Sequence, residues 1–117
     1  MSLLFEKLSK KIPVWRDEIK ELQKDYGDKV ISEVTVAQAY GGMRGVKCLV
    51  CDTSEVPPDK GLIIRGIPVK DLKDKLPEEV LWLLLTAELP NNEELEEIKK
   101  ELNTRNAVPQ YVWDVLK

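Results

Sequence analysis

Leu76-Pro77-Glu78-Glu79-Val80-Leu81-Trp82-Leu83-Leu84-Leu85 is the stretch from which the fold class is read. Proline is at home in the first turn of a helix, where its missing N–H has no partner to lose. From Val80 to Leu85 the residues are apolar without a break, so a helix begun at Pro77 is apolar nearly all round. Such a helix is buried in a body larger than its immediate neighbours provide, or it faces a partner.

Reading outward from it, Pro90 closes the segment, and Asn91 or Asn92 caps a next helix whose single apolar stripe is Leu95, Ile98 and Leu102. Its Glu and Lys faces read as solvated. Ala107-Val108-Pro109 breaks the chain, and Gln110 to Lys117 begins a further amphipathic helix through Val112, Val115 and Leu116. No glycine, proline or polar tail follows, so a cut through an element is expected there. Toward the amino terminus, Val69 to Leu76 reads as a short helix, and Gly66-Ile67-Pro68 as a turn. Leu49 to Thr53 and Leu62 to Arg65 read as two strands joined by Ser54-Glu55-Val56-Pro57-Pro58-Asp59-Lys60-Gly61, whose prolines and Asp-Lys-Gly suit a hairpin connection. A lone hairpin is marginal in water and must lie on helices.

Leu4, Leu8 and Ile12 space a short helix over Ser2 to Ile12, and Pro13 begins or kinks the next one. Trp15, Ile19, Leu22 and Tyr26 space the next one, with Gly27 expected as a left-handed cap and the stripe expected to pack on the protein's own core. Val30 to Val34 reads as a short strand, and Thr35 with Gln38 as a capping box opening one or two turns that run into Tyr40. The fold class is therefore mainly α, multi-helical with one small β-hairpin.

At 117 residues the chain is one domain at most, with 18 Lys and Arg against 21 Asp and Glu and no basic run. That balance gives nucleic acid or an anionic membrane little to hold. The longest apolar run is far short of the ~20 residues a membrane span needs, and no signal or transit pattern is visible, so a cytoplasmic location is the expectation. Histidine is absent, which removes the side chain most used as a general base and as a metal ligand. Cys48 and Cys51 form one C-x-x-C. Zinc would need about two further N or S ligands, and a redox pair should open a helix, whereas 47–53 reads as a strand. Ordinary buried or half-buried thiols, with no metal, are the expectation.

Tyr40-Gly41-Gly42-Met43-Arg44-Gly45-Val46-Lys47 sets three glycines around an arginine. Glycine permits positive φ and close approach to the main chain, and arginine offers a planar fork of donors to phosphate oxygens. Two readings follow, a turn with a solvated arginine and an anion-binding loop. Neither common nucleotide loop fits, since Val46 stands where G-x-x-x-x-G-K needs glycine and Met43 where G-x-G-x-x-G does. The loop follows a short helix, so it lacks the help of a helix amino terminus.

The order of these features resembles the amino-terminal part of the citrate synthase family. The residues that carry the resemblance are Val34-Thr35-Val36, Gly41-Gly42-Met43-Arg44-Gly45, Gly61-Leu62-Ile63-Ile64-Arg65-Gly66, Leu76-Pro77-Glu78-Glu79, Leu81-Trp82-Leu83-Leu84 and Asn106-Ala107-Val108-Pro109. It covers essentially the whole chain and looks nearest to the mitochondrial-type branch. The resemblance implies that residues 1–117 are the amino-terminal portion of a large domain, incomplete without the catalytic segments and the small domain. In that family one aspartate and two histidines condense acetyl-CoA with oxaloacetate to citrate and CoA, and arginines hold the oxaloacetate carboxylates. All lie in later segments, so no catalytic residue is expected here, and the isolated chain is expected to be inactive. Arg44 matches the family arginine that contacts the CoA diphosphate, with a scaffold arginine paired to a carboxylate as its alternative. Arg65 is expected to be structural. No tightly bound cofactor is implied; acetyl-CoA is a substrate of the complete enzyme. The implied partner is the remainder of the polypeptide or a separate catalytic chain, the complete enzyme being a homodimer. A stand-alone, non-enzymatic interaction module is the rival reading.

Overall fold

A computed structural model describes residues 2–47 and 49–117, arranged as five α-helices and a small three-stranded antiparallel sheet. The helices are α1 Leu3–Tyr26, α2 Val36–Tyr40, α3 Pro77–Thr86, α4 Asn92–Thr104 and α5 Gln110–Leu116. The strands are β1 Ser54–Glu55, β2 Ile63–Ile64 and β3 Ile67–Pro68, with a single tight helical turn at Val69–Leu72. The class read from the sequence, mainly α with a small hairpin, is the class observed.

The core is where α1, α3 and α4 meet. Trp82, Leu83 and Thr86 of α3 are completely buried, and Ile98 of α4 and Leu72 join them. The apolar run is thus buried on one side only, since Leu81 and Leu85 remain exposed. α3 begins at Pro77, where the Glu79 carboxylate turns back to accept the N–H of Leu76 at 2.8 Å. That bond and the Lys75 ammonium hold the Glu79 carboxyl below the usual carboxylate range. The helix ends at Ala87, whose left-handed φ of 64° lets its N–H reach the Leu83 carbonyl, three residues before the proline expected to close it.

Two of the last-turn carbonyls of α3 are met from elsewhere, and a third from within the helix. Leu84 accepts from the Arg65 guanidinium at 2.9 and 3.1 Å, Thr86 from the Lys11 ammonium at 2.7 Å, and Trp82 from the Thr86 hydroxyl at 2.9 Å. A helix carboxy terminus leaves such acceptors unpaired and carries partial negative charge, so two cations are well placed there. Trp82 Nε1, in contrast, is buried without a hydrogen-bond partner among the described residues.

α4 clasps α1. Asn91 and Glu94 form a full capping box, with Glu94 N–H on Asn91 Oδ1 at 3.0 Å and Asn91 N–H on Glu94 Oε2 at 2.8 Å. The other Glu94 oxygen takes the Lys7 ammonium at 2.6 Å, and Glu97 accepts the amino-terminal N–H of Leu3 at 2.7 Å. Lys7 also pairs with Glu88 at 2.8 Å and lies 5.4 Å from the centre of the Trp82 ring. Burial works against the Lys7 charge, but the hydrogen bonds to Glu88 and Glu94 prevail and hold its pKa above the ordinary lysine value. Glu88 is held below the usual carboxylate range by Lys7 and Lys11.

Several expectations are corrected. Pro13 does not begin a second helix: α1 is one helix of 24 residues with Pro13 inside it. Gly27 is right-handed, at φ −58° and ψ −33°, and glycine suits it because a Cβ would collide with the Gln23 carbonyl oxygen. The stripe of α1 does not all find a core, since Ile19, Leu22 and Tyr26 are exposed. Neither Val30 to Val34 nor Leu49 to Thr53 forms a strand; the sheet begins at Ser54, because no layer lies over those segments to repay pairing. The strand missed by sequence is β3. Arg65 and Gly66 both take positive φ, 47° and 82°, as a two-residue hairpin turn requires, so Ile64 pairs with Ile67 and Ile63 with Pro68.

Candidate functional site

The glycine-rich loop is built on α2. Thr35 Oγ1 accepts the Gln38 N–H at 3.2 Å while Gln38 Oε1 accepts the Thr35 N–H at 3.0 Å, the capping box expected from the sequence. α2 ends as the Gly41 N–H reaches the Ala37 carbonyl at 2.9 Å, and the Met43 N–H returns to Gln38 at 2.8 Å. Gly42, Met43 and Gly45 all hold positive φ, 77°, 59° and 78°. An added Cβ at Gly42 or Gly45 meets nothing within 4 Å, so glycine is required there by backbone conformation and not by crowding.

This turn carries Arg44 outward. Its side chain is exposed and makes no hydrogen bond or ion pair among the described residues. The scaffold alternative, an arginine tied to a carboxylate, is realised instead at Arg65. There Nη1 reaches the Asp52 carbonyl and carboxylate at 3.2 Å each, Nε and Nη2 cap α3, and the guanidinium lies 5.8 Å from the Trp15 ring centre. Arg65 therefore ties the ribbon to α3 and α1, the structural role expected of it. The structure does not bring the two arginines to one site.

The C-x-x-C is only half visible, since Cys48 lies outside the described residues. Cys51 is exposed and not buried or half-buried as expected, because nothing covers Leu49 to Asp52. Its sulfur lies 3.3 Å from Thr53 Oγ1 and 4.0 Å from Ser54 Oγ. Hydrogen bonding from the Thr53 hydroxyl, with the Ser54 and Thr53 N–H groups, lowers the thiol pKa to about 7. The sequence held the signal, hydroxyl residues Thr53 and Ser54 two and three positions after the cysteine. Among the described residues no cluster of His, Cys, Asp or Glu could hold a metal ion, and no helix is long and apolar enough to cross a membrane.

One groove lies apart from these residues. It encloses about 560 Å³ between α1, α3 and α4, and is lined by Leu4, Phe5, Leu8, Leu81, Leu85 and Leu102, with Glu101 and Arg105 at its polar edge.

Residues 42–117 match the family model described as citrate synthase, C-terminal domain. Over 97% of its length the chain is 35% identical to the mitochondrial citrate synthase of Aspergillus niger and 36% identical to that of Saccharomyces cerevisiae. It is 37% identical, again over 97% of its length, to the mitochondrial 2-methylcitrate synthase of Yarrowia lipolytica. In each case it spans 26% of the relative's own length.

Proposed function

The chain belongs to the citrate synthase family, and from that premise we propose that it supplies scaffold and one edge of the CoA site to an enzyme whose condensation chemistry resides in other polypeptide. The observation that carries this reading is Arg44: a cation displayed by a strained glycine-rich turn, without a partner among the described residues. A guanidinium so presented suits a diphosphate, which it can bind through two parallel charge-assisted bonds. The chain has no histidine, and this supports assigning the proton transfers of enol formation to residues outside it. One arginine does not retain CoA against the entropy of association, so acetyl-CoA is captured as a substrate only by the completed site.

The test has two arms. The purified chain with oxaloacetate, acetyl-CoA and a thiol reagent releases no CoA above background; robust release would overturn the proposal. In a chimera where this chain replaces the matching segment of the Saccharomyces cerevisiae relative, condensation activity is retained, and Arg44→Ala raises KM for acetyl-CoA roughly 10- to 100-fold, the value of a charge-assisted bond. An unchanged KM would remove Arg44 from the CoA site.

A further inference from the structure

We infer that Thr35 and Gln38 are positioning residues for acetyl-CoA, their capping box setting the course of the turn that carries Arg44, an assignment that rests on the function proposed above. α2 has five residues, less than half the ~12 an isolated helix needs to hold itself in water. Burial gives it little help, since Val36 is 75% and Tyr40 91% exposed. What remains to fix its first turn is the reciprocal pair of bonds between Thr35 and Gln38, at 3.2 and 3.0 Å.

One residue links the box to the loop. Gln38 closes the box with its side chain, and its carbonyl accepts the Met43 N–H at 2.8 Å. The Met43 carbonyl in turn accepts the Val46 N–H at 3.0 Å, so the two bonds bracket Arg44. Met43 is a non-glycine residue at a φ of 59°, a conformation held at a cost and only where surrounding bonds enforce it. The bond to Gln38 does so, and it lasts only while α2 is wound. Unwinding at Thr35 releases Met43, and a guanidinium that was fixed in advance must then be ordered at the moment a diphosphate binds.

Acetyl-CoA kinetics of the chimera described above provide the test. Thr35→Val keeps the branched shape and removes the hydroxyl. It raises KM for acetyl-CoA roughly 3- to 10-fold, the value of a helix cap, with kcat unchanged, and Thr35→Ser restores the parent value. Because the box acts through Arg44, Thr35→Val adds nothing in an Arg44→Ala background. A merely structural role gives the same loss in both backgrounds, or lowers kcat and melting temperature and leaves KM alone. Either result overturns the assignment while the functional reading survives. An Arg44→Ala chimera with unchanged KM overturns the functional reading and the assignment with it. The free chain supplies a second measurement, independent of catalysis and of how the chimera folds: amide hydrogen exchange at Met43 accelerates roughly 3- to 10-fold in Thr35→Val and stays at the parent rate in Thr35→Ser. Equal exchange in the parent and in Thr35→Val would show that the box does not hold the loop, and would overturn the assignment.

Discussion

At the scale of single residues, the informative positions are those whose backbone or surroundings depart from what their identity prefers. Ala87 holds a left-handed φ of 64°, a conformation glycine adopts freely and other L-residues at a cost. Ala87→Gly therefore stabilises the chain by about 0.5–1 kcal/mol after allowing for the freer unfolded state, read as a higher urea midpoint at constant m-value. Cys51 is exposed with a pKa lowered to about 7. In a Cys48→Ser background its alkylation by iodoacetamide rises with pH around a midpoint near 7, and a midpoint at the ordinary thiol value would refute the hydrogen-bonded arrangement. Arg44 was legible as a candidate because glycines flank it. Cys51 was misread because its burial depended on a covering layer that local sequence does not encode.

At the scale of elements, helix existence was readable from spacing, caps and prolines, while boundaries and pairing were not. Pro13 looked like a break because a proline interrupts the helical ladder; α1 nonetheless continues, its first half fixed by α3 and α4 through Leu3, Lys7 and Lys11. β3 was hidden because Pro68 reads as a turn residue, although its pairing is set by the two positive-φ residues before it. The clasp of α1 was invisible because Glu88 and Glu94 lie far from Lys7 in sequence. Its pH dependence follows from the directions of the shifts. The depressed pKa of Glu88 gives stability that is complete above the unfolded carboxylate value of about 4.3 and is lost as pH falls through the folded one. The raised pKa of Lys7 gives stability present below the unfolded lysine value of about 10.4 and lost as pH rises through the folded one. Docking of α1, followed by Trp82 fluorescence in a Trp15→Phe, Trp113→Phe background, is accordingly flat between about pH 5 and 10 and weakens at both ends; loss centred near neutrality would contradict the clasp.

At the scale of the whole molecule, the radius of gyration is 19.3 Å, against about 13 Å for a compact chain of this length. The core is one meeting point of three helices, and much of the apolar surface that the sequence appeared to provide for a core faces outward. This limit was legible in part: the all-round apolar character of residues 80–85 already asked for more surroundings than the chain contains. The clasp and the spread shape together have a consequence for cleavage. Residues 28–34 and 46–53, where described, carry no regular structure and are largely exposed, with Lys29 and Lys47 among the exposed side chains, so brief trypsin treatment cuts there before it reaches α3. The bonds broken are not those that unite α1 with α3 and α4. Cleavage at either site alone leaves two peptides that separate in denaturing gels and run as one species in native ones, a severed chain still held together by Lys7, Lys11 and Leu3.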